Sequence, residues 1–216
     1  MLVGASAFDR ANRAGSTRGS EFARWCARGR PPVDRFLLAL AAEFHRVDEA
    51  AALERLDELA RPAFGIASLQ HEDAGRRLIE AVGESGGLCP GPAGDPDGLM
   101  LDRVLASGRG RPELLAAVYL EVARRAGVSL ALLSSGLNWF VGFEDEEELV
   151  LVAPASFDRP IDRIELRRRC PHGLADVVLG GLGELFSARG ARADAARALA
   201  LRRSLRAAQR PGTPGV

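Results

Sequence analysis

The order of hydrophobic periods along the chain predicts an α+β fold. Helical spacing dominates as far as Gly127. Three short segments follow, VSLALLSS, NWFVGF and ELVLVA, whose apolar, β-branched and aromatic residues read as strands. Helical spacing returns after His172. The prediction is therefore N-terminal helices, a helix on an antiparallel sheet, and a C-terminal helical hairpin. The boundaries expected are a flexible segment over 1–30, a helical part over 31–85, a core over 86–172, a helix pair over 173–209 and a tail over 210–216.

Each element has a local cause. In PPVDRFLLALAAEFHR, Phe36, Leu37, Leu40 and Phe44 share one helix face, and Pro32 suits a first helical position. Asp48 reads as the N-cap of DEAAALERLDELA, which turns Leu53, Leu56 and Leu59 inward and stops before Pro62. A third helix is expected over about 69–84, with Leu69, Leu78, Ile79 and Val82 inward. The Gly- and Pro-dense 86–98 segment is expected to be a loop. RPELLAAVYLEVARRAG carries the strongest helix signals. Pro112 fits its first position, Glu113 its positive end, and Gly127 its C-terminal stop. Its expected inner stripe is Leu115, Val118, Tyr119 and Val122. EDEEE is expected to be a solvated turn, PASFDRPID a loop and IELRRRC a short helix. Two antiparallel helices joined near Gly190 complete the chain.

Composition removes several chemistries. The 216 residues carry equal numbers of basic and acidic groups, 29 of each, so the net charge is zero. No overall field draws the chain to nucleic acid or an acidic membrane, and neither is expected as a partner. No apolar run approaches the roughly 18 residues of a membrane helix. MLVGASAFDRANR meets Asp9 and Arg10 too early for a secretory signal. The three cysteines, without a CxxC pair, fit a reducing cytoplasm. Every basic residue is arginine. A phosphate-loop lysine, a Schiff-base lysine and an SxxK dyad are therefore excluded.

From Leu99 to Phe143 the residue order resembles the Sir-B-type (invasion-regulator-like) branch of the transglutaminase-like proteins. Val104, Leu105, Gly110 and Pro112 match that family's leucine-rich turn. Tyr119 to Arg125, with Gly127, match its YLEVARR.G helix end, and ALERLDELA over 52–60 matches its N-terminal helix. The resemblance covers roughly 33–206. It implies a transglutaminase-like (papain-like) core of helix on antiparallel sheet, closed by a tetratricopeptide-like helix pair. In active members of the superfamily a Cys starts the central helix, a His lies on the next strand and an Asp on the one after. The imidazole then takes the thiol proton and the carboxylate orients the imidazole. Here those positions fall at the helix start Pro112-Glu113, at Asn138 and at Ala153. Asn carries no proton at neutral pH and Ala makes no side-chain hydrogen bond.

The expectation is a non-enzymatic, cytoplasmic protein that binds a protein or peptide through a degenerate cleft at Glu113, Asn138, Trp139 and Ala153. The rival is a cysteine-dependent hydrolase or acyl transferase using a repositioned thiol, Cys89 or Cys170. Arg109 and Arg111 flank a helix N-terminus and form a candidate anion site, unless Glu113 already complements that dipole. No cofactor and no metal site are expected. Cys170-Pro171-His172 offers too few zinc ligands, His71-Glu72 lacks a second His, and His45 suits a helix end. Asp95-Pro96-Asp97-Gly98 reads as a turn rather than a calcium loop, and Gly180, Gly181 and Gly183 as close helix packing. The arginines from Arg192 to Arg210 form a basic end that faces solvent or an acidic partner.

Overall fold

The computed structural model describes residues 21–136, 138–143, 151–152 and 166–209. Both expected tails, the acidic turn, the PASFDRPID loop and Ala153 lie outside the described residues or only touch their edge.

The helical part begins with Val33–Ala41 (α1) and Glu49–Ala60 (α2). Pro32 stands one place earlier than expected, at the N-cap, because its ψ of 131° is extended rather than helical. Asp48 caps α2 by accepting the Ala51 N–H at 3.1 Å. Leu56 and Leu59 are buried, while Leu53 is half-buried. His71–Ile79 (α3) follows and runs into a π-helical turn, Glu80–Glu84. Leu78 and Val82 point inward, but Leu69 and Ile79 are 44% and 38% exposed. Leu69 precedes the helix in extended backbone, so helical spacing does not govern it. Ile79 lies next to Leu78 and is therefore rotated off the buried face.

The 86–98 segment is not wholly a loop. Cys89–Pro90 (β1) pairs in parallel with Arg109–Gly110 (β2), and Pro96–Leu99 forms a 3-10 turn capped by Asp95. Between them, Leu101–Ser107 (α4) buries Val104 and Leu105. β2 leads directly into Pro112–Arg125 (α5). The expected stripe of α5 is buried, and so are Leu114, Ala116, Ala117 and Ala123. A helix covered almost all round is the centre of a core rather than its lid. Gly127 takes φ +83°, the left-handed value that ends the helix without a Cβ clash.

Leu130–Ser135 (β3) and Asn138–Phe143 (β4) form an antiparallel hairpin that packs on α5. Leu151–Val152 (β5) pairs with β4. Arg167–Arg169 (β6) pairs antiparallel with β3 and completes a four-stranded sheet of order β5-β4-β3-β6. The IELRRRC segment thus ends in a strand, not the expected short helix. Pairing with β3 decides its conformation over local preference. The mixed fold of helices and a small antiparallel sheet is as expected.

Pro171–Ala188 (α6) and Arg192–Ala208 (α7) form the closing hairpin around Gly190. Gly180 admits Arg202, whose guanidinium would lie 2.9 Å from an added Cβ. Close packing, not anion contact, explains that glycine. Arg202 and Arg206 both donate to the Asp176 carboxylate, at 2.5 to 3.1 Å. Partial burial raises the Asp176 pKa, but hydrogen bonds from Arg206 and Arg202 outweigh it and bring the pKa from 3.8 to about 2. A carboxylate with a depressed folded pKa contributes stability above its unfolded pKa, lost as pH falls toward the folded one. Acid titration of Asp176→Asn followed by circular dichroism is expected to show a shallower loss of stability between about pH 4 and pH 2 than the parent chain. Equal slopes would mean that this pair does not couple α6 to α7.

Candidate functional site

The central helix starts with carboxylate chemistry. Glu113 lies in the first turn of α5, and its side chain is 6% exposed. Its Oε1 lies 3.5 Å from Arg111 Nε. Negative charge there complements the helix N-terminus as well as the guanidinium. Arg111 also donates to the Ala93 carbonyl at 2.9 Å. Arg111 is thereby engaged by the protein, whereas Arg109 is exposed beside a separate hollow of about 360 Å³ lined also by Asp95, Asp97 and Arg103. Arg111 is not among the residues that line that hollow.

Asn138 opens β4 opposite Ser135, and Trp139 stands opposite Ser134. Successive strand residues face opposite sides. Asn138 is exposed, while Trp139 is 5% exposed and belongs to the core. The Arg169 guanidinium lies 5.9 Å from the Trp139 ring centroid and donates from Nε to Ser134 Oγ at 2.7 Å. Asn138 is thus the member of this pair presented to solvent, and Trp139 is held from behind. The third expected position, Ala153, is outside the described residues.

Each histidine has a defined neighbour. His45 Nε2 lies 2.6 Å from Asp102 Oδ2, just beyond the end of α1. His71 starts α3 and stacks on Phe143 at 4.4 Å. His172 is buried, with Nε2 3.2 Å from the Cys26 carbonyl and its ring edge-on to Phe36 at 5.3 Å. The cysteines are free thiols. Burial pushes the Cys26 thiol up to about 11, with the Glu43 charge adding to it against a local backbone hydrogen bond. It stays protonated at neutral pH and behaves as a small core hydrophobe. Cys170 caps α6, its sulfur accepting the Gly173 N–H at 3.3 Å. Cys89 is half-buried in β1, paired with the strand that leads into α5.

Among the described residues no group of His, Cys, Asp and Glu is arranged to hold a metal ion. Nor is any of their helices long and apolar enough to cross a membrane. Of the basic C-terminal arginines, Arg197, Arg202 and Arg206 are engaged by Glu43 and Asp176.

The two segments that carry the family resemblance meet in space. Arg125, at the end of α5, donates to Asp57 of the LDELA stretch at 2.7 Å, to Asp34 of α1 at 2.7 Å and to Glu121 at 2.8 Å. Asp34 and Glu121 are each 3% exposed. Burial works against the Arg125 charge, but its hydrogen bonds to Asp34 and Asp57 and the nearby Asp34 and Glu121 charges raise its pKa. These charges escaped the sequence reading. The available signal was the pairing of acidic LDELA with basic YLEVARR, two helix surfaces that attract.

A sequence model of the transglutaminase-like superfamily matches residues 39–178. The chain belongs to that superfamily. The match takes in α2 to α5 and the described sheet, and ends inside α6. The matched region thus includes Arg125, Glu121 and Asp57 of that network, while Asp34 lies just ahead of it. Two curated relatives, each called UPF0162 protein, come from Xylella fastidiosa strains Temecula1 and 9a5c. Both are 34% identical to this transglutaminase-like chain over 79 residues. That stretch spans 36% of the chain and 28% of each relative's own length.

Proposed function

We propose that this transglutaminase-like chain is a non-enzymatic binding protein for a protein or peptide. The observation that carries the reading is the start of α5. Active superfamily members, by the resemblance above, present a thiolate there; here the place is held by Glu113 engaged with Arg111. Catalysis by acyl transfer needs a nucleophile with a base within hydrogen-bond reach. The buried Cys26 is protonated, and His172 turns Nε2 to its backbone carbonyl. Exposed Asn138, beside the hairpin turn at Gly136, supplies a donor and an acceptor for peptide groups.

The finer family reading is Sir-B-type, with α6 and α7 as a tetratricopeptide-like pair. It is supported by the union of LDELA and YLEVARR through Asp57 and Arg125. Helix α6 of the pair stands against α1 and the Pro96–Leu99 turn, and α7 packs on α6. Zero net charge favours a protein over nucleic acid or a membrane, and free thiols suit a reducing cytoplasm.

One observation favours the rival reading of a repositioned thiol: β1 carries Cys89 alongside the strand that feeds α5. A single assay separates the two. Peptide, amide and ester substrates are offered to the parent chain and to Cys89→Ala and Cys170→Ala. No turnover above buffer is expected for any of them. Turnover that disappears with either alanine overturns the binding-protein reading.

A further inference from the structure

We draw no further inference here: the strongest candidate, the hollow of about 450 Å³ beside the start of α6, where exposed Cys170 adjoins Leu120, Leu130 and Leu132, carries nothing because it offers a lone thiol at a helix N-terminus over an apolar lining and nothing in the structure shows what covers it.

Discussion

Arg125→Ala is expected to lower the stability of the chain by about 3 kcal/mol or more. The guanidinium is 12% exposed and stands among Asp34, Asp57 and Glu121. Its removal leaves two carboxylates, each 3% exposed, facing one another across α1 and α5. Arg124 reaches both of them from the solvent side, at 2.8 Å to Glu121 and 3.5 Å to Asp34. That residual partner places the cost at the lower end of the usual range for a broken buried pair of about 3–5 kcal/mol. Asp57 is different. Its side chain is 65% exposed, so Asp57→Ala should cost no more than about 1 kcal/mol. Urea unfolding of both variants checks the contrast. If Arg125→Ala and Asp57→Ala lie within about 0.5 kcal/mol of each other, burial does not set the strength of this network.

Trp139→Ala is the second large effect. The ring is 5% exposed and belongs to the central core. Truncation of a buried Trp opens a cavity and costs about 3–5 kcal/mol. In a chain of 216 residues this corresponds to a fall in Tm of roughly 10 °C. Trp139→Phe retains most of the packing and should cost distinctly less. The neighbouring Asn138→Ala changes only a solvent-facing group, and its expected effect is within about 0.5 kcal/mol. Thermal unfolding monitored by near-ultraviolet circular dichroism reports all three. A neutral Trp139→Ala would show that the ring packs less tightly than its burial implies. For binding studies the consequence is practical: Asn138→Arg probes the surface, whereas Trp139→Ala probes the fold.

Most of the fold was legible because local and tertiary preferences agree. Pro112, Glu113 and Gly127 mark the ends of α5, and Asp48 caps α2, each through chemistry contained in a few residues. Disagreement arose where a distant partner decides. Arg167–Arg169 has no local reason to be extended, and becomes a strand because β3 offers its edge. Cys89 and Pro90 look like loop and become a short ladder because α4 returns Arg109 and Gly110 beside them. The candidate site was legible in its chemistry but not in its orientation. Residue identity shows that Asn138 and Glu113 differ from a thiol and imidazole pair. Only the strand register shows that Asn138 faces water while Trp139 faces the core.

The bond from His172 to the Cys26 carbonyl joins positions 146 residues apart. Phe22 stacks on Phe36 in the same layer, and α1 meets α6 there. During synthesis the beginning of the chain therefore leaves the ribosome long before the helix it docks against. Helix α1 can pack on α4 and α5 as these emerge, but the edge contact of Phe36 with His172 forms only once residue 172 has arrived. Closure across so long a stretch is slow, because the entropy of the intervening chain is lost before the contact is gained. A nascent chain halted ahead of α6 therefore lacks the His172 contacts with the Cys26 carbonyl and the Phe36 ring.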